Sequence, residues 1–324
     1  MIKDIIPFHK ENRNCYEDVV VTICKWYQRN YEYMYKNSWT FYYEPIQTHK
    51  KTNFGQRLNY NNSQFSLLTE YSGIGINHHV CEDLDKGIID IIIKLKTNIP
   101  IALSNMDMFW LPWTASYQNT HGRHTFIVIG YDDCTSSFLC IDPYYQLTNL
   151  RLSIKDFKES SSGNYISFYI AGDEKKIKDI NLIINRAAAK LLAEKKVGNA
   201  FNNMRKFADE IEIYYDAQQE IEGYKDFFSV PIYMKLQEIG RGRKQFTELL
   251  RFLADRSCNK KDLLTYSDNL NLMGKKWDSL KVLFGKESIL SNYTLVKKRA
   301  PNKIRQIADF EEKIAREIQD STYI

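Results

Sequence analysis

Apolar residues recur at helical spacing twice in the first hundred positions. From Cys15, the run CYEDVVVTICKWYQRNYEY sets Val19, Val20, Ile23, Trp26 and Tyr27 at i, i+3 and i+4 intervals, which predicts a helix. A second run of this kind, DKGIIDIIIKLKTN, covers 85–98. The pattern then shortens to β-branched and aromatic stretches. IPIALSNMD (99–107), RHTFIVIGYDD (123–133), SSFLCIDPYY (136–145) and NYISFYIAG (164–172) predict strands. A short Asp-Asp-Cys-Thr turn joins the middle two, a hairpin signal, and Thr125–Ile129 suits a strand covered on both faces. Residues 33–80, rich in Asn, Tyr and Ser, predict long and partly irregular loops.

After Gly172 the period becomes 3.6 almost throughout. KKIKDINLIINRAAAKLLAEKK, NAFNNMRKFADEIEIYYDA, VPIYMKLQEIGRGRKQFTELLRFLADRS, KKDLLTYSDNLNLMGKKWDSLKVLFG and APNKIRQIADFEEKIAREIQD all read as amphipathic helices. Gly198, Gly223, Gly285 and Pro301 punctuate them. Five of the 7 prolines precede residue 144, as expected if helix interiors exclude proline. The expected organisation is α+β over 1–172 and an all-α bundle over 173–324.

Composition adds exclusions. Of 324 residues, 44% are hydrophobic and 26% charged, the balance of a folded globular chain. No run of about 18 apolar residues predicts a membrane span. The start, MIKDIIPFHKENRNC, lacks the apolar core of a signal peptide, so a cytoplasmic location is expected. The net charge of +5 is small, but it is unevenly placed. Residues 173–324 hold 29 basic and 23 acidic side chains, and the first half is close to neutral. The six cysteines, at 15, 24, 81, 134, 140 and 258, form no CxxC pair and read as reduced thiols. His78, His79 and Cys81 resemble half a zinc site with no partner cluster, so no metal is expected.

The densest chemistry lies in 106–145. His124 stands where one strand begins and Asp142 where the next ends, and a tight hairpin brings such ends together. A carboxylate bonded to imidazole fixes its tautomer and supports the imidazolium, which makes a general base. The nucleophile is expected at Cys15, at the start of the first helix, where the dipole and free N–H groups should lower a thiol's pKa. His9, Asn12 and Asn14 are candidate donors to an oxyanion. The aromatic stretch with Phe109, Trp110 and Trp113 is expected to wall the site and keep water out. The order Cys, His, Asp is that of papain-like cysteine enzymes.

The segments NCYEDVVVTIC, MDMFWLPW, GRHTFIVIGYDD and the strand ending IDP resemble the N-terminal domain of the butirosin biosynthesis protein H family. That resemblance implies a papain-like cysteine protease fold, followed in many members by a helical domain. It implies an acyltransferase that moves an acyl group from the phosphopantetheine thioester of a carrier protein to an amine. It puts the nucleophile at Cys15, the base at His124 and the orienting acid at Asp142, with no bound cofactor. The chain is also similar to a cysteine-protease-like enzyme that forms amides in closthioamide assembly. Papain-like enzymes place a glutamine six residues before the cysteine, and here that position is His9.

Two other classes stay open at the level of sequence: a cysteine peptidase or thioesterase with water as acceptor, and a non-catalytic member that binds a carrier protein. Carrier proteins are acidic, so the basic clusters Arg241, Arg243, Lys244 and Lys297, Lys298, Arg299 are candidate docking residues. No nucleic-acid motif accompanies them.

Overall fold

A computed structural model describes residues 1–46, 53–177, 179–194, 198–224, 229–290 and 294–321. Along the chain run α1 (Cys15–Trp26), β1 (Tyr42–Tyr43), α2 (Phe54–Arg57), β2 (Leu58–Asn59), α3 (Ser66–Ser72), β3 (Ile74–Val80) and α4 (Leu84–Lys96). There follow β4 (Ile101–Asp107), β5 (Arg123–Asp132), β6 (Ser137–Asp142), β7 (Leu147–Ser153), α5 (Ile154–Ser160) and β8 (Asn164–Ile170). The remainder is helical: α6 (Ile180–Leu192), α7 (Ala200–Tyr214), α8 (Ala217–Ile221), α9 (Pro231–Ala254), α10 (Lys260–Leu290) and α11 (Leu295–Asp320). The molecule is therefore mixed helix and sheet with a helical C-terminal region. Positions 178, 195 and 196 of the expected helix 175–196 lie outside the described residues. Among the described residues no helix is long and apolar enough to cross a membrane.

Two compact units form. The first joins Met1–Tyr33 to Phe65–Lys176, and the second joins Met34–Gln64 to Ile177–Ile324. A single boundary at 172 therefore misplaces residues 34–64, which pack with the helices.

The first unit is built on an antiparallel sheet in the order β3-β8-β4-β5-β6-β7. Phe126, Ile127 and Val128 of β5 are fully buried, as the β-branched and aromatic run requires. Helix α1 starts with a capping box: the Asn14 side chain accepts from the Glu17 N–H, and the Glu17 carboxylate accepts from the Asn14 N–H. It packs on β5, with Val19, Val20, Val21 and Ile23 fully buried. Neighbouring residues of β3 show that α1 and α4 cover opposite faces of the sheet. The His78 ring stacks with Tyr16 of α1, while His79 stacks on Tyr165, whose hydroxyl bonds Asp90 of α4. Strands β3 and β7 and helices α3 and α5 were not legible from periodicity. The exposed face of β7 carries Thr148, Asn149 and Arg151, and β3 carries polar residues on both faces, so neither shows a clean alternation.

The second unit is centred on a buried ion pair. Arg243 Nε and Nη2 donate to Glu311 Oε1 and Oε2, each at 2.9 Å, and Nη1 donates to the Thr40 carbonyl at 2.6 Å. The indoles of Trp39 and Trp277 donate to the same carboxylate at 2.8 and 3.3 Å. Arg243 is 0% exposed. This corrects its assignment to a docking surface: a long cation with a carboxylate 68 residues further on is a core residue. Arg241 and Lys244 are likewise engaged, by Glu238 and Asp278, each at 2.5 Å. Lys297 reaches the Ile213 carbonyl at 3.2 Å, and Lys298 and Arg299 are exposed. Gly240 of α9 faces Gly274 of α10. A Cβ on Gly240 would stand 3.1 Å from the Gly274 carbonyl oxygen, so small residues permit this crossing.

Candidate active site

Register places His124 and Asp142 on one face. Ile127 pairs with Ile141, so Asp142 lies opposite Phe126 and His124 follows two residues along the same strand. A β-bulge interrupts the pairing of β6 with β7 between Cys140 and Asp142. His124 Nε2 donates to Asp142 Oδ2 at 2.7 Å, and both side chains are buried. The second lone pair region of Oδ2 accepts from Trp113 Nε1 at 2.8 Å, while Oδ1 accepts from the backbone N–H groups of Tyr144 and Tyr145 at 3.1 and 3.4 Å. This is an Asx turn closed by Gln146, whose φ of 55° lies in the left-handed region. Four donors therefore hold the carboxylate in one orientation. Trp113, expected in the wall of a substrate site, is instead a support for Asp142, with its ring edge-on to Phe126 at 5.0 Å. Trp110 is half-buried, edge-on to Phe109 at 5.2 Å.

Cys15 is the first residue of α1, partly exposed, and lies close enough to His124 to influence its ionisation. With Nε2 engaged by Asp142, Nδ1 is the ring nitrogen left for the thiol. Burial alone would push the His124 pKa down from 6.5. The hydrogen bonds and charges of Asp142 and Cys15 outweigh it and lift the pKa to about 9. An imidazolium is thereby favoured at neutral pH near a cysteine at a helix N-terminus. The other buried cysteines differ: burial pushes the Cys24 and Cys140 thiols well up, with no cation to oppose it. Tyr144 and Tyr145 pack around His124 at ring separations of 5.9 and 5.4 Å.

Asn14 and His9 are both engaged at this helix start. The Asn14 oxygen caps the helix, so of that side chain the Nδ2 group is the possible donor. His9 Nδ1 lies 2.6 Å from Asp18 Oδ2. Burial raises Asp18 to about 6, against the opposing effects of His9, the Arg13 guanidinium and the Lys10 N–H, so at neutral pH it is a carboxylate. A carboxylate only accepts, so Nδ1 carries a proton, and in the Nδ1–H tautomer Nε2 holds a lone pair and does not donate to an oxyanion. The backbone N–H of Cys15, at the first helical position, has no acceptor within its own helix and remains for that task. Periodicity did not single out Asp18, although its place three residues after Cys15 is a usable signal. Among the described residues no group of three or more His, Cys, Asp or Glu side chains is arranged to hold a metal ion.

An antiparallel sheet flanked by helices, carrying the His124–Asp142 pair, defines a mixed helix–sheet domain. Residues 15–143 match the family model described as butirosin biosynthesis protein H, N-terminal. No curated protein matches the chain.

Proposed function

We propose that the protein is an amide-forming acyltransferase of specialised-metabolite biosynthesis. It takes an acyl group from a carrier-protein phosphopantetheine thioester onto Cys15 and passes it to an amine. The observation that carries this reading is the His124 ring, bonded to Asp142 and set close to Cys15 at the start of α1. The family-model match over residues 15–143 supports it.

The Cys15 thiolate attacks the thioester carbonyl and the pantetheine sulfur leaves, taking the His124 proton. One thioester replaces another, so this step is nearly isoenergetic. The amine nitrogen then attacks the acyl-Cys15 carbonyl, the C–S bond breaks, and neutral His124 accepts the proton lost from nitrogen. Amide formation from a thioester is downhill. Lys298 and Arg299 are the exposed basic residues proposed to meet an acidic carrier.

Intact-protein mass spectrometry after mixing with an acylated carrier protein tests the reading. The expected result is a single acyl adduct that disappears in Cys15→Ala and is discharged as amide when an amine is added. Discharge to free acid at the same rate with and without amine would make the protein a hydrolase, and normal turnover by Cys15→Ala would remove the assignment altogether.

A further inference from the structure

A second histidine–carboxylate pair stands at the same helix start. Cys15 and Asp18 are i, i+3 neighbours on α1, a spacing that puts their side chains side by side. Asp18 is fully buried and holds His9 Nδ1 at 2.6 Å. The other face of the His9 environment is Tyr144, edge-on at 5.0 Å, and Tyr144 in turn packs edge-on against His124 at 5.9 Å. Cys15 acts on His124 closely enough to raise its pKa. Contacts run from His124 through Tyr144 to His9 and Asp18, one helical turn from Cys15. Two imidazoles thus stand at this helix start, each with one nitrogen fixed by a carboxylate. Among the described residues His9 Nε2 has no hydrogen-bond partner, and the side chain is 21% exposed. The charged groups facing the pair are the Arg13 guanidinium, 4.0 Å from Asp18 Oδ1, and the α1 carboxylate Glu17, which is occupied in the helix cap.

Resting on the acyltransferase reading, we propose that His9 is the acceptor-side base of the site, receiving an alkylammonium substrate on Nε2, with Asp18 as its positioning residue. An amine arrives protonated at neutral pH and cannot attack in that form. His9 Nε2 accepts a hydrogen bond from the ammonium and takes its proton, giving a neutral amine and a His9 imidazolium. The nitrogen lone pair then forms the C–N bond to the acyl carbon. The C–S bond breaks, Cys15 leaves as thiolate, and the second proton from nitrogen passes to His124. One proton on each imidazole balances the positive charge brought in by the ammonium and the negative charge left on sulfur. His9 returns its proton to water, to which its exposed edge has access.

The test uses the full chain, octanoyl-pantetheine thioester as donor, and methylamine or hydroxylamine as acceptor. Methylamine is a cation at neutral pH and hydroxylamine is not. His9→Gln supplies an N–H donor but no proton acceptor of comparable basicity. Its transfer to methylamine is expected to fall by about 10²-fold or more relative to its transfer to hydroxylamine, the usual worth of a positioned base. Equal losses for both acceptors, a loss confined to acyl loading, or no loss would each overturn the proposal, the last two in favour of an oxyanion or a packing role. Asp18→Asn keeps the ring but offers an amide N–H to Nδ1 and moves the ring proton to Nε2. It is expected to reproduce the same acceptor split. A ¹⁵N spectrum of histidine-labelled protein, with His9 assigned by its disappearance in His9→Gln, is expected to show the Nδ1–H tautomer in the wild type and Nε2–H in Asp18→Asn. A wild-type Nε2–H tautomer would overturn the proposal without any substrate. Failure of the wild type to load at Cys15 would instead remove the acyltransferase reading, so the two failures are separable.

Discussion

Asp142→Asn separates what a carboxylate does for His124 from what its shape does. The amide keeps an oxygen for the Tyr144 and Tyr145 N–H groups, so the turn after β6 should survive. What it loses is the charge. Asp142 and Cys15 lift His124 from 6.5 to about 9 against burial. At about 1.4 kcal/mol per unit, that rise is worth about 3 kcal/mol in favour of the imidazolium, shared between the two partners. Without Asp142, burial is opposed by Cys15 alone and His124 should titrate below its ordinary value or close to it. The amide N–H also donates to Nε2, which drives the remaining proton to Nδ1 and turns it toward the sulfur. A wrong tautomer of this kind costs about 10⁴-fold in a Ser-His-Asp enzyme, and acyl loading of Cys15 should fall by a comparable factor. Stability follows the same linkage. A group whose pKa rises on folding stabilises the fold fully below its unfolded value, and that contribution is lost as pH climbs through the folded value. The gap between wild type and variant should therefore be widest near pH 6, at about 3 kcal/mol or less, and close above about pH 9. Histidine titration by NMR and paired denaturation curves at the two pH values measure both. A variant in which His124 still titrates near 9 would refute the reasoning, because Asp142 would then not be the source of the shift.

Other expectations concern its supports and the second unit. Trp113→Phe keeps the edge contact with Phe126 but removes a donor from Asp142. Stability should drop by about 1.5–3 kcal/mol, and the His124 titration should move up, opposite to Asp142→Asn, as the less satisfied carboxylate binds the imidazolium more strongly. Arg243→Met strands Glu311 and should cost about 3–5 kcal/mol in chemical denaturation. Adding Glu311→Leu should recover part of that loss, the remainder reflecting two indole N–H groups left without an acceptor. Reversing Lys298 and Arg299 to Glu should slow carrier-protein association more than it slows loading from free octanoyl-pantetheine. Titration of salt should weaken the wild type toward the variant, and a salt-independent loss would place the carrier elsewhere.

The local part of this structure was legible in the sequence. The apolar period from Cys15 announced α1, and the hairpin between β5 and β6 announced that His124 and Asp142 would meet. What escaped was set by partners distant along the chain. Arg243 reads as one cation in a basic run until Glu311 is found beside it, and Trp113 reads as a wall of the substrate site until Asp142 accepts its N–H. His9 reads as a stand-in for a glutamine donor until Asp18 takes its Nδ1. In each case the residue type fixed a hydrogen-bonding capacity, and only tertiary contact decided where that capacity was used.

The placement of residues 34–64 governs the order in which the chain can complete itself. Trp39 emerges from the ribosome with its indole acceptor, Glu311, still 272 residues away. Tyr43 likewise waits for Glu210, 167 residues later. The sheet of the first unit can close once Lys176 is out, yet the loop it carries stays without a core until the last helix is made. A fragment ending near residue 172 would thus display Trp39, Phe41 and Tyr43 to solvent and to other nascent chains. Isolating the cysteine-bearing half calls for excising 34–64 and bridging its ends, not for a single cut.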